Sequence, residues 1–366
     1  TRRNFLKQSG IALGTLAAPS LAAPCSAPKP KAVKNIRWIV VDDLGSQDLG
    51  CYGATFNQTP HIDAFAKESL RFTNGYSAHP VCTPTRASIQ TGNNPCREAI
   101  NITSFQKMPA TQVTIAETLK QQQKFRTYYL GKWHLGAGPT LFPEGQGYGV
   151  NIAGGGWGQP MKGYYSPWGM RNLPNGPEGE YLTDALTRKA VELLKTHKAK
   201  HANQPVFMQM AFYQVHTPID PCKRYLKHFQ NRKADFVKAG KLKPQVPTRF
   251  EGGGVTNLQG GSVNFATMVA CTDESVGKIL ATLKALGYDK DTLVVLVGDN
   301  GAFSTISKRY AGKKSDIPPA CALPFRAGKG WCYEGGVRVP YLVRVPGMAN
   351  AGKTSDTPVW TADLYP

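Results

Sequence analysis

Four short apolar runs, rich in β-branched residues, recur along the chain. Each run is bounded by polar or turn-forming residues, which is typical of strands buried inside a sheet. They occupy residues 35–41, 127–130, 206–212 and 292–297. We therefore expect a central sheet in which these four runs are the main strands.

Between the runs, apolar residues recur with the spacing of one helix face. From Pro60 onward, for example, Ile62, Phe65 and Leu70 fall on the same side of a helix. The same spacing predicts further helices over residues 114–122, 182–197 and 263–286. Strands that alternate with helices predict an α/β fold, with a large, mainly parallel sheet between layers of helices.

Two longer segments show neither the apolar runs of buried strands nor the spacing of a helix face. Residues 137–180 are rich in glycine, proline and aromatic residues, and residues 222–260 are basic. We expect little regular structure in either segment. A loop as long as the first one is usually functional or disordered.

Three of the predicted strands run directly into charged or amide residues. Ligand sites in open α/β sheets lie at the carboxyl ends of strands, so residues far apart in sequence can meet there. The residues concerned are Asp42, Asp43, Lys132, His134, Asp299 and Asn300.

The oxygen donors of this set suit a hard divalent cation. Asp42 with Asp43, and Asp299 with Asn300, offer the carboxylate and amide oxygens that Ca²⁺ or Mg²⁺ prefers. They lack the cysteine and histidine ligands typical of zinc. Each pair alone is also an ordinary turn sequence, but both pairs follow buried strands, which favours a metal site.

The chain is strongly basic. Its 366 residues carry 44 Lys and Arg against 24 Asp and Glu, a formal net charge of +20. Such an excess indicates either an anionic partner or a generally basic, solvated surface. The chain has no nucleic-acid-binding motif, so we do not expect a nucleic acid as the partner.

The first 33 residues are expected to be an export signal and linker. The segment after Thr1 begins with two arginines, and an apolar stretch follows over residues 11–16. This order resembles a twin-arginine signal, and the stretch is too short to span a bilayer. The prediction is an exported protein, periplasmic or extracellular, without a transmembrane span.

The chain has eight cysteines. Cys25 lies in the signal region and Cys82 in a candidate functional motif. The remaining six permit three disulfides, although free buried thiols fit the sequence equally well. These six are Cys51, Cys96, Cys222, Cys271, Cys321 and Cys332.

The segment from Cys82 to Arg86 reads C-T-P-T-R and is followed by T-G at residues 91–92. Pro84 suggests a turn, and Arg86 places a permanent cation near the thiol. Positive charge favours the thiolate, so Cys82 is a candidate reactive cysteine. A structural cysteine near a surface arginine is the alternative.

This segment resembles the signature of the type I sulfatases. Further motifs similar to those of the family occur in the family's order, and together they cover nearly all of residues 35–366. They are V-V-D-D-L-G at 40–45, T-P-H-I-D at 59–63, G-K-W-H-L-G at 131–136, H-T-P at 216–218, D-N-G at 299–301, and G-K-G at 328–330 with the stretch up to Pro340.

The resemblance implies a role for each of these positions. Cys82 would be converted into Cα-formylglycine by a maturation enzyme. Its hydrate would attack the sulfur, and elimination of sulfate would then restore the aldehyde. Arg86 would stabilise the hydrate. The implied calcium ligands are Asp42, Asp43, Asp299, Asn300 and modified residue 82, and the implied sulfate-binding or proton-transfer residues are Lys132, His134, His216 and Lys329.

The resemblance also implies the alkaline-phosphatase-like sulfatase fold for residues 34–366. Family members usually continue into a smaller C-terminal subdomain, so we expect that part to be missing after Tyr365. The implied function is hydrolysis of sulfate monoesters, with a sulfated sugar or polysaccharide as substrate. Two alternatives remain: a phosphonate or phosphate ester hydrolase of the same superfamily, and a sulfated-glycan-binding protein without turnover.

Overall fold

The four predicted strand runs lie side by side in one sheet. The computed structural model describes residues 32–97, 107–307 and 317–365. Strands Asn35–Val41 and Val206–Phe212 have the predicted bounds, and Arg126–Gly131 and Thr292–Gly298 are slightly longer than predicted. The α/β prediction is confirmed. The predicted export signal, with Cys25, lies outside the described residues.

The elements are numbered along the chain. The strands are β1 Asn35–Val41, β2 Leu70–Phe72, β3 Gly75–Tyr76, β4 Arg126–Gly131, β5 Val150–Ile152, β6 Val206–Phe212, β7 Thr248–Glu251, β8 Gly254–Asn257, β9 Thr292–Gly298, β10 Thr305–Ser307, β11 Tyr341–Arg344, β12 Thr354–Ser355 and β13 Val359–Trp360. The helices are α1 Pro60–Lys67, α2 Cys82–Thr91, α3 Ile115–Gln123, α4 Leu182–His201, α5 Lys223–Lys238, α6 Val263–Ala285 and α7 Glu334–Val337. None of these helices combines the length and the apolar character that crossing a bilayer requires.

The main sheet has the order β12-β2-β11-β9-β1-β6-β4-β5. Strands β9, β1, β6, β4 and β5 run parallel, and β11 is antiparallel to β9. Val41 pairs with Phe212 on one side and Gly298 on the other, and Gly131 pairs with Ala211. The central strands therefore end level with one another, and the residues after them emerge at one edge.

Successive residues of β1 point into two different core layers, as the pleat of a strand requires. Val41 belongs to the layer that contains Ile62 of α1 and Leu186 of α4. Val40 belongs to the layer that contains Ala87 of α2 and the apolar face of α3. Because both faces of the sheet are covered, the strand sequences are continuous apolar runs and do not alternate between apolar and polar residues.

The expectation of irregular structure over residues 222–260 is wrong. This segment holds α5, and also β7 and β8, which form a three-stranded sheet with β10. Phe229 is the one fully buried residue of α5, and it packs against Phe56 with 5.9 Å between ring centroids. Tyr225, Phe236 and Val237 are partly buried in the same cluster. The apolar positions therefore do follow helical spacing, and the expectation of irregular structure gave too much weight to the basic composition of the segment.

The segment after Cys82 is also not a turn. Residues 82–91 form helix α2, and every one of them is buried. Six of its ten residues are polar, so the sequence lacks the apolar stripe on which an amphipathic pattern depends. Pro84 lies in the first helical turn, where its missing N–H group is not needed.

All seven cysteines in the described ranges are free thiols. The three disulfides that the cysteine count permits are therefore not formed among these residues. The side chain of Arg224 donates a hydrogen bond to the Cys271 sulfur, at 3.1 Å from Nη2 to Sγ.

A buried basic cluster lies at the amino end of β1, opposite the edge where the polar residues emerge. Arg37 donates to the carbonyl of Val206 at 3.0 Å, and the Nδ1 atom of His197 lies 2.6 Å from the Tyr288 hydroxyl. Burial, with the nearby Arg37 charge acting in the same direction, lowers the pKa of His197 to about 4. His197 is thus neutral in the folded protein.

This neutral histidine should make the protein less stable in mild acid. The unfolded chain takes up a proton on residue 197 near pH 6.5, so stability is full above that pH and falls as pH approaches 4. Between pH 7 and 5, the wild type should lose about 2 kcal/mol more unfolding free energy than His197→Gln. Urea unfolding at the two pH values measures this difference.

The exposed His228 on α5 provides the matched control. His228→Gln should keep the wild-type pH dependence. Equal losses of stability in the wild type and in His197→Gln would show that His197 is not the responsible group.

Candidate active site

The polar residues predicted at the strand ends meet at the carboxyl edge of the sheet. Asp42 and Asp43 follow β1, Asp299 and Asn300 follow β9, and Lys132 follows β4. Gly131 makes the last approach possible: it has a φ of +94°, and a Cβ there would collide with the Ala211 carbonyl oxygen. The structure therefore confirms the prediction that these segments meet at one edge of the sheet.

Three of these groups form a compact set of metal-ligand atoms. Asp42, Cys82 and Asp299 are all buried, and each offers one ligand atom. These three atoms lie within 4.8 Å of one another. Asn300 points its amide nitrogen at the Asp43 carboxylate and the Gly301 carbonyl, at 2.9 and 3.0 Å. That orientation leaves the Asn300 Oδ1 atom free.

Two buried oxygens in this set have no hydrogen-bond partner among the described residues. They are Oδ1 of Asp42 and Oδ1 of Asn300. A buried acceptor without a partner is costly, and a hard cation would satisfy both oxygens at once. The donor set therefore fits a Ca²⁺ or Mg²⁺ ion.

Arg86 binds the carboxylates from within α2. Its Nε atom donates to Asp299 at 2.8 Å, its Nη1 atom donates to the Lys132 carbonyl at 2.6 Å, and its Nη2 atom lies 3.7 Å from Asp42. A planar guanidinium with several donors can hold these groups in one fixed arrangement. The observed contacts of Arg86 thus position the metal-ligand carboxylates.

The two lysines are paired with the adjacent acids. Lys132 Nζ lies 2.5 Å from Asp42 Oδ2, and Lys329 Nζ lies 2.6 Å from Asp43 Oδ1. His216 approaches the same Asp43 carboxylate at 3.8 Å. The third acid, Asp299, is paired with Arg86. With all three acids ionised, the charges of the two lysines and Arg86 balance theirs, so a divalent ion would give the cluster a net charge of +2.

Cys82 stands at the start of α2, fully buried against His134. Its sulfur lies 3.3 Å from the His134 Nδ1 atom. Burial raises the pKa of the Cys82 thiol, although Lys132 and Lys329 act in the opposite direction. The structure therefore does not support the hypothesis of an activated thiolate at Cys82.

Both imidazoles of the site are neutral at neutral pH. Burial lowers the pKa of His134 to about 2, and the charge of Lys132 adds to the effect. Burial, followed by the charge of Lys329, lowers the pKa of His216 to about 3. A neutral imidazole has one nitrogen that can accept a proton.

The two acids after β1 differ in their electrostatics. Burial and the neighbouring Asp299 charge raise the pKa of Asp42 well above its usual range. Burial acts in the same direction on Asp43, but the charge of Lys329 outweighs it and holds the pKa of that carboxyl below its usual range.

Three contacts were not predicted from the sequence. The Thr83 hydroxyl lies 3.2 Å from Nδ1 of His134, and the Tyr129 hydroxyl donates to the Lys132 carbonyl that Arg86 also contacts. Gly158 packs so closely on the His134 ring that a Cβ would collide with it. The glycine-rich sequence G-G-G-W-G at residues 154–158 is the signal that could have indicated this last contact.

The fold and this site define an α/β protein in which possible metal ligands and several cationic side chains cluster at the carboxyl edge of the sheet. Comparison with known proteins agrees: the Sulfatase family model matches residues 34–366. The chain therefore belongs to the sulfatase family.

Individual relatives share this similarity at a moderate level of identity. The chain is 29% identical over 387 residues to N-acetylgalactosamine-6-sulfatase of Rattus norvegicus, which covers 97% of this chain and 63% of that protein. It is 28% identical over 341 residues to the ulvan-active sulfatase of Formosa agariphila, which covers 91% and 60%. The chain thus spans less than two thirds of the length of these relatives.

A solved structure shows the same fold. The crystal structure of Ps i-CgsB in complex with k-i-k-neocarrahexaose has a TM-score of 0.70 and 29% sequence identity. The match covers 91% of this chain and 70% of that one. The similarity includes the fold class, with its mixed, mostly parallel sheet and flanking helices.

Proposed function

We propose that this protein hydrolyses sulfate monoesters of a sulfated carbohydrate. The observation that carries the proposal is the cluster around Cys82. Its buried acids and amide include two oxygens without a hydrogen-bond partner among the described residues. Three cations, Arg86, Lys132 and Lys329, each lie at hydrogen-bond distance from one of the acids. A sulfate ester is an anion that gains charge on its leaving oxygen during cleavage. Fixed cations around it stabilise that charge.

The metal in this proposal is Ca²⁺, and Mg²⁺ is the other hard cation that such ligands bind. Its ligands would be Asp42, Asp43, Asp299 and Asn300, together with residue 82. When bound, it would supply positive charge to the sulfate oxygens. The role proposed for Arg86 is to hold Asp42 and Asp299 in place, in addition to stabilising the modified residue.

Residue 82 is proposed to act as Cα-formylglycine. Hydrated, this group would provide the hydroxyl that attacks sulfur, and its second hydroxyl would allow sulfate to be eliminated. His134 would take a proton from the second hydroxyl, and this role is supported by its Nδ1 atom lying 3.3 Å from the residue-82 sulfur. Lys329 and His216, which face Asp43 together, would bind the sulfate oxygens or protonate the departing alcohol, and Lys132 would contribute a further cation.

The carbohydrate part of the proposal is supported by the relatives. One of them is an ulvan-active sulfatase, and one solved structure holds k-i-k-neocarrahexaose. The excess of basic residues over the chain would suit a polyanionic polysaccharide. Export to the periplasm or beyond, directed by the segment after Thr1, is part of the same proposal.

Maturation of residue 82 should be visible as a mass change. Protein made in a host that has a formylglycine-generating enzyme should yield a residue-82 peptide about 18 Da lighter than the cysteine form. Peptide mass spectrometry measures the change, and the Cys96 peptide serves as the internal control that keeps its mass. An unmodified residue-82 peptide from such a host would contradict the proposed nucleophile.

The activity itself is tested with small esters and sulfated sugars. Release of nitrophenol from nitrophenyl sulfate, and of free sulfate from sulfated oligosaccharides, is expected. Faster hydrolysis of nitrophenyl phosphate or a phosphonate ester would instead identify the phosphate or phosphonate alternative. Binding of a sulfated glycan without release of sulfate would identify the non-catalytic one.

A further inference from the structure

A cavity is lined by the chain segments that follow two of the active-site residues. It has a volume of about 650 Å³, within the range of pockets that hold small ligands. Thr217 lines it directly after His216, and Phe303 lines it three positions after Asn300. The loops after β6 and β9 therefore contribute both to the candidate active site and to the wall of this cavity.

The walls of the cavity are mostly neutral. Its lining includes Thr217, Asn257, Asn264, Phe303 and Ile306 from the loops after β6 and β9 and from β8, β10 and α6. No carboxylate lines it among the described residues, and its one titratable lining side chain is that of Lys233 on α5.

Lys233 differs from the lysines of the active site in its pairing. Lys132 and Lys329 are bound to Asp42 and Asp43. No Asp or Glu of the described residues lies within ion-pair distance of Lys233, although its side chain is half-buried. An ammonium group without a protein counter-ion interacts favourably with an anionic ligand group.

We propose that this cavity is a subsite for a second anionic group of the substrate, and that Lys233 binds that group. The inference rests on the proposed sulfatase function and narrows its substrate class. The substrate would be an oligosaccharide in which the sugar beside the cleaved sulfate ester carries a second sulfate or a carboxylate. Phe303 and Ile306 would contact the apolar face of that sugar.

Substitution of Lys233 tests the subsite. Lys233→Gln leaves a polar side chain one atom shorter than lysine and removes its charge. The ratio of kcat/KM for a disulfated over a monosulfated disaccharide should fall about tenfold, through KM rather than kcat, because one charge-assisted hydrogen bond is lost. A disaccharide that pairs one sulfate with a carboxylate, assayed in parallel, shows which anion the subsite prefers.

Lys227 is the matched control, because it is an exposed lysine on the same helix and does not line the cavity. Lys227→Gln should leave the ratio unchanged. The proposal is overturned if Lys233→Gln leaves the ratio unchanged, or if its kcat/KM falls equally with both disaccharides.

If the protein is not a sulfatase, the wild type releases sulfate from neither disaccharide, which distinguishes this case from a wrong subsite. The affinities for the same two sugars are then measured by calorimetry in place of the kinetic assay. A tenfold weaker affinity of Lys233→Gln for the disulfated sugar alone still supports the subsite. Equal affinities in wild type and variant contradict it.

Discussion

Cys82→Ala is expected to abolish sulfate release. The substitution removes the atom that maturation converts into the nucleophile, while the small alanine side chain fits the buried start of α2. Loss of an essential nucleophile lowers turnover by roughly 10⁴-fold or more. Initial rates with nitrophenyl sulfate and with a sulfated oligosaccharide measure the effect.

The control for this prediction is another free cysteine. Cys96 is exposed, so Cys96→Ala should retain wild-type rates. Urea unfolding of the Cys82→Ala protein checks that the fold survives, since a buried substitution can also act through stability. Appreciable turnover by a folded Cys82→Ala protein would show that residue 82 is not the nucleophile.

The convergence of the site was predictable from the sequence because it depends on strand ends. Asp42 and Asp299 each follow a buried strand directly, and parallel strands of equal register end at the same edge. The pairing of Val41 with Gly298 brings the two carboxylates together. The local sequence pattern and the geometry of a parallel sheet are therefore enough to predict that these two carboxylates meet.

The pairing of charges within the site was not predictable in the same way. That Lys132 meets Asp42 while Lys329 meets Asp43 depends on loop paths and rotamers, which leave no periodic trace in the sequence. The same is true of Thr83, whose contact with His134 requires the first turn of α2 to face the loop after β4. Only the three-dimensional structure shows these contacts.

Helices α2 and α5 were missed for different reasons. In α2 every residue is buried, but six of the ten are polar, so the sequence shows no apolar stripe at helical spacing. In α5, Tyr225, Phe229 and Phe236 do follow helical spacing and pack in one apolar cluster, so the periodic signal was present within a strongly basic segment. Amphipathic periodicity identifies helices that bury one apolar face, as it did for α4 and α6.

Removal of the proposed divalent cation is expected to lower turnover by at least about 10³-fold, the scale of losing one main charge-stabilising group. Without the ion, the three carboxylates and three cations of the site balance, and Lys132 and Lys329 remain bound to Asp42 and Asp43. An anionic ester then meets no net positive charge. Assay after dialysis against a chelator, with metal content measured in the same sample, tests this expectation.

Metal addition should restore the rate and also stabilise the fold. Binding at one hundred times Kd adds about 3 kcal/mol to the free energy of unfolding, because the free Oδ1 atoms of Asp42 and Asn300 gain a partner. Chelator saturated with Ca²⁺ beforehand is the control, and parallel addition of Ca²⁺ and Mg²⁺ shows which ion the site uses. Full activity in metal-free protein would mean that Arg86 and the two lysines suffice for charge stabilisation, and that the free oxygens are satisfied by water.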